Sequence, residues 1–105
     1  MLSVTRRDAD AAVTIAVEGE IDAATVGDLE AAIGAGLAGL GPARTLVVDL
    51  TGLKFIDSAG IGVLLHGRRS AVALGRPFRV AGATGLVLEV LRLTGVWPLL
   101  SGEPA

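Results

Sequence analysis

The 105-residue chain has no cysteine, no asparagine, no glutamine and no tyrosine, and it carries one histidine, one lysine and one tryptophan. Each shortage removes a class of function. Without cysteine there is neither a disulfide framework nor a thiolate metal site. One histidine, His66, is too few for the usual ligand set of a zinc enzyme. Side-chain chemistry is left mainly to Asp, Glu, Arg, Ser and Thr, a narrow kit for catalysis. A net charge of -2 and a pI near 5.2 provide no basic face for nucleic-acid phosphates. The longest uncharged run, Ala31 to Ala43, is 13 residues, against about 20 for a spanning helix. It also contains Gly34, Gly36, Gly39, Gly41 and Pro42. The mean hydropathy of +0.66 therefore does not translate into membrane insertion. Arg6, Arg7, Asp8 and Asp10 precede any apolar stretch, unlike a secretory signal. The expectation is a soluble, cytoplasmic protein that needs no cofactor and no metal.

What is present describes a folded domain. Apolar residues make up 51% and charged residues 19% of the chain, so disorder is excluded on composition. The length fits one domain, residues 1–105, able to bury about 65% of its unfolded surface. Charge is uneven. Residues 1–57 hold nine acids and four bases, net -5, and residues 58–105 hold five bases and two acids, net +3. That asymmetry hints at a polarised surface.

Periodicity orders the elements. Leu2–Thr5 and Val13–Val17 alternate apolar and polar residues, as strands of a hairpin do. Gly19-Glu20-Ile21-Asp22 breaks that alternation. From Ala23 to about Leu40, Val26, Leu29, Ile33 and Leu37 recur at helical spacing. Asp22 is the expected N-cap, and Gly41 with Pro42 the expected stop. Leu46–Leu50 is a nearly continuous apolar run, the pattern of a buried parallel strand. Ser58–Leu74 reads as a second helix with Ile61, Leu64, Leu65, Arg68 and Val72 along one side. Pro77–Ala81 reads as a short strand and Thr84–Thr94 as a third helix. Val96–Leu100 reads as a last short strand, with a tail from Gly102. The fold class is α/β: a mixed sheet of four or five strands with helices packed mainly on one side. Asp49, inside an apolar strand, requires a partner. Trp97 reads as a plug over the core, and His66 as a surface residue.

The segment from Thr51 to Gly62 lies between a strand and a helix, where sites form in open α/β sheets. Ser58 is placed to cap the helix, with its hydroxyl at the positive end of the dipole. A phosphoryl group there meets backbone amides. Gly60 and Gly62 leave the first turn bare enough for another protein to approach. If Val13–Val17 and Leu46–Leu50 are parallel neighbours, Glu20 and Asp22 join Asp57 and Ser58 in one acidic surface. A hydrolase built on Ser58 is disfavoured. The chain lacks the Gly-x-Ser-x-Gly elbow, and His66, the only candidate base, lies about 12 Å along the same helix.

Asp57-Ser58-Ala59-Gly60-Ile61-Gly62, after Leu46–Leu50 and Thr51-Gly52-Leu53, resembles the STAS domain of anti-sigma-factor antagonists. Gly19-Glu20-Ile21-Asp22 looks like that family's second motif, and the resemblance runs over about residues 3–100. It implies a bacterial, non-enzymatic regulator. Its partners would be an anti-sigma factor with serine kinase activity and a serine phosphatase. Ser58 would be the phosphorylation site, and Glu20, Asp22, Asp57, Ala59, Gly60 and Gly62 the partner-binding surface. Many members have a second serine where this chain has Ala59. The alternative within the family is an accessory subunit of a lipid-transport or sensory assembly, with no phosphorylation switch.

Overall fold

The computed structural model describes residues 1–103. Strands β1 (Leu2–Asp8) and β2 (Ala12–Ile21) form an antiparallel hairpin. Helix α1 (Val26–Ala38) leads to β3 (Thr45–Ile56), and helix α2 (Ser58–Ala73) to β4 (Phe78–Ala81). Two further helices, α3 (Gly85–Leu93) and α4 (Trp97–Ser101), follow. The sheet has four strands in the order β1-β2-β3-β4, with β2, β3 and β4 parallel.

The register explains why one face carries the core. Val13 lies opposite Leu46 and Ile15 opposite Val48, which in turn faces Val80. With Val17 and Leu50, these side chains are fully or nearly fully buried. Leu29, Ile33, Leu37, Leu64, Val87 and Leu91 from the helices close over them. Val26, Ile61, Leu65 and Val90, expected in the core, are half-buried and pack against it. The opposite face has Arg7, Thr14, Val47 and Arg79 in one row, then Thr5, Ala16, Asp49 and Ala81. Most of these residues are polar or small and half-buried or exposed, while Val47 among them is buried. Asp49 lies there half-buried. Its carboxylate accepts hydrogen bonds from the Thr51 hydroxyl at 2.6 Å and the Thr51 amide at 3.0 Å.

Several elements differ from the sequence reading. The apolar run ends at Leu50, yet β3 continues to Ile56. Register shifts between Ala16 and Glu18 and between Gly19 and Glu20 give β3 extra residues, so its buried positions become Leu50, Leu53 and Ile56. A spacing of three is invisible to a period-two test. β2 likewise runs through Gly19-Glu20-Ile21 instead of stopping before it. Gly19 has φ 102°, a conformation natural to glycine. α1 starts at Val26, not Ala23, and ends on Gly39, not Gly41. The inward face of α2 is Gly60, Leu64, Gly67 and Ala71, while Val72 points outward and is 62% exposed. Apart from Leu64, small residues mark where α2 meets its neighbours.

The last element is a helix, not a strand. Pro98 sits in the first turn of α4, where a missing N–H costs nothing. Gly102, with φ 78°, ends it. Trp97 is buried as expected, and its indole N–H donates to Glu103 at 2.7 Å. Within the expected tail Glu103 is therefore held; the last two residues of that tail lie outside the described residues.

Candidate functional site

The carboxyl ends of β2 and β3 lie side by side. Ile21 pairs with Ile56, and the Asp57 amide donates to the Ile21 carbonyl at 3.2 Å. This stitch places Asp22 and Asp57, the next residue of each strand, on the same rim. Both are half-buried, whereas Glu20 and Ser58 are exposed. The four residues expected to share one surface are thus brought to one end of the sheet. Glu20 lies 3.6 Å from the terminal ammonium of Met1.

Two aspartates shape the rim. Asp22 does not cap α1; the N-cap is Thr25. Instead the Asp22 carboxylate accepts from the amides of Ala24 at 2.9 Å and Thr25 at 3.1 Å. The Thr25 hydroxyl accepts from the Asp22 amide at 3.0 Å and donates to the Glu20 carbonyl at 3.0 Å. Asp22 and Thr25 thereby lock the turn that carries the chain from β2 into α1. The acid-x-x-hydroxyl spacing was the available signal for Thr25.

Asp57, not Ser58, is the N-cap of α2. Its carboxylate accepts from the Gly60 amide at 3.1 Å, and its carbonyl from the Ile61 amide at 3.0 Å. Ser58 is the first helical residue. Its own amide and that of Ala59 have no acceptor within the helix. Ser58 is thus exposed at the positive end of a 16-residue helix, in the turn whose first amides are left without helical acceptors. Replacing Asp57 by Ala should lower stability by about 1 kcal/mol, while Asn should keep the cap. Urea denaturation of the two variants checks this.

The glycines divide. Gly62 is exposed with open space where a Cβ would be, and Ala59 is half-buried. Gly60 is buried. A Cβ there would lie 2.6 Å from Ile21 Cγ2 and 2.7 Å from Ile56 Cγ1. Gly60 is thus a packing residue that lets α2 approach the strand ends, not a bare docking position.

The rim is acidic. Glu18, Glu20, Asp22 and Asp57 lie toward the carboxyl ends of β2 and β3, where Lys54 is the one base on those strand ends. Arg7, Arg44, Arg76 and Arg79 lie toward the amino ends of the parallel strands. Asp8 and Asp10 lie at that end too, with Asp8 beside Arg6 and Arg44, so the uneven charge of the two halves of the sequence does not map simply onto the strand direction. Among the described residues no cluster of His, Cys, Asp and Glu has the geometry of a metal site. No helix there is long and apolar enough to cross a membrane.

Known proteins share this arrangement. A family model described as "Mlab, STAS domain" matches residues 4–101. An anti-sigma factor antagonist from Mycobacterium paratuberculosis is 30% identical over 91% of this chain and 80% of its own, with a TM-score of 0.80. The anti-sigma factor antagonist SpoIIAA in its unphosphorylated form is 23% identical, covering 91% of this chain and 84% of that one, with a TM-score of 0.75. The phosphorylated form of the Bacillus protein is 22% identical over 91% of this chain and 86% of that one, with a TM-score of 0.68. No curated protein matches the sequence.

Proposed function

The chain belongs to the STAS domain family, and from that membership we propose that it is an anti-sigma-factor antagonist switched by phosphorylation of Ser58. Unmodified, it binds an anti-sigma factor that is also a serine kinase. Phosphorylated on Ser58, it is released, and a serine phosphatase restores it. The observation that carries this reading is the position of Ser58: exposed, first in α2, next to a cap, and on the rim that holds Glu20, Asp22 and Asp57. The 30% identical structure is an antagonist, and SpoIIAA is known in both phosphorylation states. The protein acts by docking rather than by catalysis, in the cytoplasm where sigma factors work.

Incubation with the anti-sigma kinases of the same cell and ATP, followed by intact-mass measurement, tests the switch. One phosphoryl group should be added to the wild type and none to Ser58→Ala. Ser58→Ala should still bind the partner, because it alters neither Asp57 nor the fold. No phosphate on the wild type from any of these kinases would overturn the switch. The second reading, an accessory subunit without a switch, is favoured by the description of the matching family model as "Mlab". Co-purification with an ATP-hydrolysing transporter subunit instead of a kinase would select it.

A further inference from the structure

Helices α1 and α2 pack side by side where a Cβ on Gly67 would come within 3.0 Å of Ile33 Cγ2. Outside that contact they leave an open groove of about 300 Å³. Its walls are Gly34, Leu37 and Ala38 on α1, and Val63, Gly67 and Leu74 from α2 and its C-cap. Small residues on both helices leave the space unfilled. The volume is at the lower limit of small-molecule sites. Polarity is not uniform along it. Glu30 and His66 lie toward one end and Ala38 and Leu74 toward the other. From Glu30 to Ala38 the helix rises about 12 Å. Glu30 has no ion-pair partner among the described residues. An anionic end joined to an apolar trough complements a molecule with a positive head and an apolar body.

We propose that the α1/α2 groove binds a small organic cation with an apolar chain, its ammonium or guanidinium head at Glu30 and its chain between Gly34 and Leu74. This site stands apart from the Ser58 rim and does not depend on the switch. The head gains Coulomb attraction from Glu30 and a polar neighbour in His66. The chain removes the exposed parts of Val63 and Leu74 from water. An anionic amphiphile of the same length meets repulsion from Glu30 instead.

Octylammonium, octanoate and octanol, each below its aggregation concentration, separate these terms in titrations of the 15N-labelled protein. Octylammonium should shift the amides of Gly34, Gly67 and Ser70 with a dissociation constant on the order of a millimolar. Octanoate should bind about five- to tenfold more weakly. Glu30→Gln should bring octylammonium close to octanol. Gly34→Leu fills the groove from a position where a Cβ meets nothing within 4 Å, and should abolish binding without harming the helix. Equal affinity for octanoate, shifts centred on other residues, or unchanged binding by Gly34→Leu would each overturn the proposal. So would concentration-dependent shifts of the same amides in ligand-free protein, since a second copy would then be the occupant.

Discussion

Phosphorylated on Ser58, the protein is expected to lose about a hundredfold in affinity for its anti-sigma partner and to keep its fold. The two effects part because the phosphate meets different surroundings in each. It adds a charge of about -1.5 to -2. Within the fold, that charge sits at the first position of α2, beside the unclaimed amides of Ser58 and Ala59. The helix dipole favours it by about 0.3–1 kcal/mol, and repulsion from Asp57, whose carboxylate holds the Gly60 amide, opposes it. Net stability should change by no more than about 1 kcal/mol. At the docking surface nothing comparable offsets the charge. Glu20, Asp22 and Asp57 already make the rim acidic, and a partner fitted to that rim must desolvate the dianion against its own groups. Mismatched charge at an interface costs several kcal/mol, and about 3 kcal/mol is roughly a hundredfold. Ser58→Asp should follow the same direction with a smaller loss, because a carboxylate carries less charge. Calorimetric titration of the three forms against the anti-sigma partner checks this. Equal affinities would reduce Ser58 to the first residue of a helix.

Most of the scaffold was legible because its apolar spacing is regular. Leu29, Ile33 and Leu37 repeat at helical spacing and lie buried. Val13, Ile15 and Val17 alternate and lie buried. The parallel pairing of β2 with β3, which the sequence offered as a condition and the structure supplies, is what unites Glu20 and Asp22 with Asp57. Legibility stopped where geometry departs from those periods. The bulged end of β3 buries Leu50, Leu53 and Ile56, a spacing that belongs to neither simple period. The assignment of the α2 cap slipped by one residue, because Asp57 and Ser58 are both good capping residues and only backbone geometry separates them. α4 spans five residues, too few to establish a helical repeat. The groove between α1 and α2 was out of reach for another reason. It is made by side chains that are missing, at Gly34 and Gly67, on helices that sequence alone does not set at a distance.

Gly60 gives the sharpest contrast between a glycine kept bare for a partner and one kept bare for the core. Gly60→Val should destabilise the protein by about 3 kcal/mol, near the upper end of typical overpacking costs. The new Cβ alone would overlap Ile21 and Ile56 at 2.6 and 2.7 Å. Those isoleucines are 0% and 4% exposed, so neither has solvent to retreat into. Both belong to strand ends joined by the Asp57-to-Ile21 hydrogen bond. Relief therefore requires α2 to lift away, which pulls the Asp57 cap and Ser58 from the rim. The slightly better helix propensity of Val over Gly, a few tenths of a kcal/mol, does not compensate. Gly62→Val is the matched control, since its Cβ meets nothing within 4 Å. It should leave stability unchanged or slightly improved. For a domain of this size the Gly60 variant should melt roughly 10–20 °C below wild type, as followed by circular dichroism. If Gly60→Val melted with the wild type and lost only partner binding, Gly60 would be a docking residue and the packing of α2 against Ile21 and Ile56 would be wrong.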